Sequence, residues 1–135
     1  MTLVQRVAQL SGIVLIILAV LGFFVSSGSM EPDPALASRV IALFPVNLLL
    51  NLLHLVLGIW GVFACRSFVA GRAYCQVAGV IFILLAILGF IIPTTFGIMP
   101  IGGNEIWLHA IFGIVLIVAG LTARSDMVTP TSMNI

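Results

Sequence analysis

The sequence predicts an all-α integral membrane protein: a bundle of four transmembrane helices, built from two repeated helical hairpins, with both termini in the cytoplasm. The first observation is compositional, because 62% of the 135 residues are hydrophobic and only 7% are charged, outside the range of soluble domains. The second is length, because four apolar stretches each approach the roughly 20 residues that a helix needs to cross a bilayer. These stretches cover about 7–25, 46–64, 73–92 and 106–123. They leave little outside them, so we treat 1–135 as a single transmembrane domain.

The third observation is an internal repeat. Residues 12–23 read GIVLIILAVLGF, and residues 79–90 read GVIFILLAILGF. A Leu-His-x-x-x-Gly phrase also occurs twice, once around His54 and once around His109. Each half of the chain therefore predicts one helical hairpin with one histidine in its second helix.

The few charges predict the orientation of the bundle. The outer links hold Glu31, Asp33 and Glu105 with Arg39 as their only basic residue. The other arginines flank the opposite ends of the predicted helices: Arg6, Arg66, Arg72 and Arg124. Because short cytoplasmic segments carry an excess of arginine and lysine, this bias places both termini and the middle link in the cytoplasm.

The segments between the helices are short, apart from the first outer link. Its Asp33-Pro34 pair resembles a helix start, so we predict a short interfacial helix over 35–44, ended by Pro45. Such a segment would be a lid or partner surface, or simply an amphipathic connector. We expect the polar tail over 125–135 to be mobile.

Small residues recur along the predicted helices at alternating spacings of four and three. Such seams let helix backbones approach closely in a membrane, where lipid removes the hydrophobic drive for association. The predicted packing glycines are Gly12, Gly58, Gly61, Gly79, Gly89, Gly113 and Gly120. Asn47 and Asn51 lie on the His54 face of the second helix, so we expect them in a polar bundle interior.

His54 and His109 are the main candidate binding residues, since both face inward at similar predicted depth. They could provide the axial ligands of a haem or bind a chlorophyll, with Gly58 and Gly61 leaving flat room for a macrocycle. The simpler interpretation is structural, with each histidine hydrogen-bonded inside the bundle. We expect no metal site, because Glu105 should stand at the membrane boundary, away from both rings.

The run LFPVNLLLNLLHLVLG at 43–58 resembles an uncharacterised bacterial family, domain of unknown function 4383. Its members are small four-helix membrane proteins with an Asn-rich and His-rich start to the second helix, and Leu108, His109 and Gly113 match a second family phrase. The likeness covers about 12–120. Many members carry a further histidine near the position of Leu50, so any site that uses it would lack one ligand here. The resemblance implies the fold and attaches no activity.

The leading functional hypothesis is a non-enzymatic structural or accessory subunit of a homo-oligomer or larger complex. It would lie in the lipid bilayer of a bacterial cytoplasmic (inner) membrane or a thylakoid, without cofactor or nucleic acid. One alternative is tetrapyrrole binding through His54 and His109. Another is a small transporter or lipid-binding protein, which predicts a cavity reaching Asn47 and Asn51. No nucleophile beside a base is evident in the sequence, so an enzyme is not expected.

Overall fold

The computed structural model describes residues 1–125, and this part of the chain is mostly helical. It contains four α-helices and two short β-strands. In chain order they are α1 (Leu3–Ser26), β1 (Ser38–Val40), β2 (Phe44–Val46), α2 (Leu48–Ala64), α3 (Phe68–Ile91) and α4 (Asn104–Thr122). Of the predicted mobile tail, all but residue 125 lies outside the described residues.

The helix ends are set by capping side chains. Thr2 and Gln5 form a reciprocal capping box, so α1 begins four residues before the predicted start. The Asn47 side chain accepts from the backbone N–H of Leu50 at the start of α2, and Ser67 caps α3 in the same way. Because Ser67 caps it, α3 begins at 68, five residues before the predicted 73.

Three of the helices, α1, α3 and α4, are long and apolar enough to cross a membrane. The remaining apolar helix, α2, has 17 residues. At 1.5 Å per residue it is about 25 Å long, near the lower limit for a transmembrane helix. The described chain is therefore a helical bundle with the composition of a membrane protein.

The bundle consists of two antiparallel helix pairs. α1 packs mainly against α2, and α3 packs mainly against α4, while α1 and α3 provide the main contact between the pairs. The side chains between the pairs form one continuous apolar core, which includes Leu15, Leu57, Tyr74, Phe82 and Leu116. Most helix–helix contacts therefore lie within each pair.

The predicted interfacial helix over 35–44 is wrong. This segment forms an antiparallel β-hairpin in which Ser38 pairs with Val46 and Val40 pairs with Phe44. The Asp33 carboxylate caps only a single turn, by accepting from the N–H of Ala35. The hairpin is favoured because its two strands satisfy each other's backbone hydrogen bonds. It also buries the Val40 side chain, which packs with Leu50 and Ile101.

Candidate functional site

The two histidines meet inside the bundle. His54 on α2 and His109 on α4 are 1% and 0% exposed, and their Nε2 atoms lie 3.4 Å apart. The rings are edge to face, with centroids 5.7 Å apart. On its other side the His109 ring packs against Phe82 at 5.5 Å. The Leu-His-x-x-x-Gly phrases therefore bring both imidazoles to one point.

Glu105 joins the histidines at this point. Its Oε2 lies 3.2 Å from Nε2 of His109 and 4.0 Å from Nε2 of His54, and the residue is 0% exposed. The expectation that Glu105 stands apart from both rings is wrong. The reason is that α4 begins at Asn104, so Glu105 lies in its first turn, one helical turn before His109 and on the same face. We call His54, Glu105 and His109 the buried centre.

Sequence reasoning missed Glu105, although the spacing of four residues between Glu105 and His109 was a usable signal. Residues four apart on a helix are neighbours on its surface. In the first hairpin the corresponding position, four residues before His54, is Leu50. The two Leu-His-x-x-x-Gly phrases therefore differ at this position, and only the second is preceded by a carboxylate.

The polar atoms of the buried centre are poorly satisfied by the protein. Within the described chain, Nδ1 of both histidines and both carboxylate oxygens of Glu105 have no hydrogen-bond partner. The contact between Glu105 and His109 is close but lacks hydrogen-bond geometry. Buried polar atoms without partners cost free energy, typically about 1–3 kcal/mol each. We therefore expect these three side chains to lower the stability of the bundle.

The buried centre has the composition of a metal-ligand set. Its two imidazole nitrogens and one carboxylate oxygen lie within 4.8 Å of one another, and all three residues are buried. Two histidines with one carboxylate hold catalytic zinc or non-haem ferrous iron in other proteins. The two thiols are not part of this set, because Cys65 donates to the carbonyl of Val62 and Cys75 to that of Val4.

A tetrapyrrole does not fit this arrangement. The Nε2 atoms face each other at 3.4 Å, with Glu105 against both, which leaves no space for a macrocycle between them. The expected flat room beside Gly58 and Gly61 is also filled. A Cβ atom at Gly58 would lie 2.8 Å from Ile16 Cγ1, and one at Gly61 would lie 2.8 Å from the Tyr74 hydroxyl.

Asn47 and Asn51 are both fully buried. Asn47 donates to the carbonyl of Ile98 at 2.7 Å, and Asn51 donates to the Ser26 hydroxyl at 3.0 Å. These bonds tie α2 to α1 and to the link before α4. The cavity that a transporter or lipid-binding protein would need at these residues is therefore filled by the protein itself.

The predicted packing glycines lie at points of close approach between chain segments. At each of them a Cβ atom would come within 3.0 Å of a neighbouring segment: Gly12, Gly58, Gly61, Gly79, Gly89, Gly113 and Gly120. Gly12 and Gly58 face each other across the α1–α2 contact. The buried centre is thus held by helices whose backbones touch.

Comparison with known proteins places the chain in a family. No curated protein and no solved structure matches it significantly. The model of the family described as Domain of unknown function (DUF4383) matches residues 5–122. That match covers all four helices and the whole buried centre and confirms the resemblance seen in the sequence, so the chain belongs to the DUF4383 family.

Proposed function

We propose that the protein is a four-span protein of the bacterial cytoplasmic membrane, with both termini inside, and that it binds a small ligand at the buried centre. It acts by binding and not by catalysis. We expect it to work as an accessory subunit, in a homo-oligomer or beside other membrane subunits, with lipid covering its outward apolar faces.

The observation that carries the proposal is the convergence of three ionisable side chains inside an apolar bundle. Ionisable groups within membrane-spanning helices are costly and by default mark functional sites. Here they lie at 0–1% exposure, and four of their polar atoms have no partner in the described chain. Buried, unpartnered ionisable side chains that converge at one point are what a binding site would present to a ligand.

The proposed topology is supported at the arginine-bearing end of the bundle. There the Gln5 side chain donates to the carbonyl of Cys65, and the Arg72 guanidinium donates to the carbonyl of Gly120. These bonds hold the start of α1, the 66–72 link and the end of α4 at one end. Arg6, Arg66, Arg72 and Arg124 lie within or next to these segments, so they share one side of the membrane.

Equivalent contacts in the two helix pairs support the proposed duplication. In the first pair, a Cβ at Gly58 would meet Ile16, and a Cβ at Gly12 would meet the backbone nitrogen of Val62. In the second pair, the corresponding contacts are made by Gly113 with Ile83 and by Gly79 with the nitrogen of Ile117. The positions in each pair correspond in the repeated sequences, and this explains how His54 and His109 come to face one another.

The test is to replace the whole buried centre with apolar residues of similar size, His54→Leu, Glu105→Met and His109→Leu together. If the centre exists for a ligand, this variant should be as stable as the chelator-treated native protein, or up to about 1–4 kcal/mol more stable, because the unpaired polar groups are removed. The measurement is thermal and denaturant unfolding of the detergent-purified protein, followed by circular dichroism. The chelator removes any bound metal ion, which would otherwise stabilise the native protein.

Asn47→Ala is the matched control for this measurement. It removes the α2 cap and the bond to Ile98, so we expect it to be about 1–2 kcal/mol less stable than the native protein. If the apolar replacement of the buried centre loses as much stability as Asn47→Ala or more, the centre is structural and the proposed function is overturned.

A further inference from the structure

We infer that the ligand of the buried centre is a divalent first-row transition-metal ion, with zinc the best match, held by Nε2 of His54, Nε2 of His109 and the carboxylate of Glu105. This inference rests on the proposed binding function and names its ligand. It is carried by the distances, the unpartnered carboxylate oxygens of Glu105 and the nitrogen and oxygen donor set.

The distances match the edges of a tetrahedral zinc site. With zinc bonds of about 2.0–2.1 Å, neighbouring ligand atoms at tetrahedral angles are about 3.3–3.4 Å apart. The observed separations are 3.4 Å between the two Nε2 atoms and 3.2 Å between His109 and Glu105. Only the separation between His54 and Glu105 is longer, at 4.0 Å, and closing it needs a shift of the carboxylate oxygen by about 0.6 Å.

The donor atoms also restrict the ligand. When both Nε2 atoms bind a metal, each imidazole keeps its proton on Nδ1, so the two rings no longer compete for one shared proton. Neutral imidazole suits zinc and other transition metals, whereas magnesium and calcium prefer oxygen ligands throughout. The set of two nitrogens and one oxygen therefore favours a transition metal over the abundant hard cations.

A cation would compensate the negative charge of Glu105 when its carboxylate is ionised. Within residues 1–125, the ion-pair distances of Glu105 are to the two histidines, and no arginine reaches it. A buried carboxylate without a counter-charge is strongly unfavourable. A divalent ion would provide that charge, and a hydroxide or other small anion in the remaining coordination position would neutralise the excess.

The donor set differs from that of a typical structural zinc site. Structural zinc sites usually have four protein ligands, whereas three protein ligands leave one position open. Metal-bound histidines usually donate their second N–H to an outer partner, and here Nδ1 of His54 and of His109 has none in the described chain. We therefore expect the metal to be removable by a chelator without unfolding the bundle.

The experiment uses the full chain, purified in detergent with a tag that contains no histidine. Cobalt serves as a coloured substitute for zinc, supplied both during expression and by titration of the chelator-treated protein. The native protein should bind cobalt at one ion per chain and show the intense visible absorption of tetrahedral cobalt, and zinc should displace it. Glu105→Gln and His54→Asn should each weaken cobalt binding by at least about tenfold. Loss of an outer hydrogen-bond partner of a metal ligand already costs about that much, so loss of a ligand itself should cost no less.

Glu31→Gln is the matched control, since it makes the same chemical change in the first outer link and should bind cobalt like the native protein. Circular dichroism establishes whether each variant is folded. If Glu105→Gln does not fold, His54→Asn still tests the site. The inference is overturned if the native protein takes up no cobalt by either route, or if both variants bind it as tightly as Glu31→Gln. If the apolar replacement of the centre is stable but the native protein binds no cobalt, the metal is rejected as the ligand. The proposed binding function is not overturned by that result.

Discussion

Gly12→Val is expected to prevent normal packing of the first helix pair and to cause a large loss of stability. A Cβ atom at residue 12 would lie 2.6 Å from the carbonyl oxygen of Gly58 and 2.7 Å from the backbone nitrogen of Val62. Both are backbone atoms, which cannot move aside as a flexible side chain can. Overpacking of a tight core costs about 1–3 kcal/mol of folding free energy. Because valine is branched and would lie between two backbones, we expect Gly12→Val to lose about 3 kcal/mol or more.

Gly71→Ala is the control for this prediction. At Gly71 the nearest atom to an added Cβ would be the carbonyl oxygen of Ala64 at 3.5 Å, which is an ordinary contact. This variant should unfold at or slightly above the native temperature, because alanine favours a helix over glycine. Circular dichroism and size-exclusion chromatography in detergent measure both variants. Equal stability of Gly12→Val and Gly71→Ala would contradict the close contact of α1 with α2.

Glu105→Lys is the second large effect that we expect. It places an ammonium group beside two histidines in a fully buried position, without a carboxylate partner in the described chain. An uncompensated buried charge costs about 3–5 kcal/mol, a large fraction of the stability of a small protein. The variant should be poorly expressed or unfolded in detergent.

Asn104→Lys makes the corresponding change one residue earlier, at an exposed position at the start of α4. We expect it to change the free energy of unfolding by less than about 1 kcal/mol. The same expression and unfolding measurements apply to both lysine variants. Similar behaviour of the two would mean that residue 105 reaches water at the membrane surface, as the sequence alone had suggested, and that the buried centre contains only the histidines.

The helices and the meeting of the histidines were the predictable part of this protein. Apolar length and the repeat around His54 and His109 depend on local sequence, and the structure contains four helices in the expected regions. The packing glycines were also visible as a periodic pattern. The signal is strong for these features because helices in lipid must satisfy their own backbone hydrogen bonds, whatever else surrounds them.

The hairpin was not predictable, because it depends on contacts between distant parts of the chain. Glu105 carried a local signal in its spacing of four residues from His109, but hydropathy does not detect it. Asp33-Pro34 has the local chemistry of a helix start, but burial of Val40 against Leu50 and Ile101 favours paired strands. The apolar run begins at 106, so hydropathy alone places Glu105 in a link. The helix α4 begins two residues before that run, and its first turn brings the carboxylate to the histidines.

The most direct test of the metal centre is X-ray absorption at the zinc edge, measured on the zinc-loaded native protein. The buried centre predicts nitrogen and oxygen neighbours at about 2.0–2.1 Å, with the outer-shell scattering of two imidazole rings. Sulfur neighbours at about 2.3 Å would place the metal at Cys65 or Cys75 instead. That spectrum, or one of oxygen neighbours without imidazole scattering, would contradict a metal site formed by His54, Glu105 and His109.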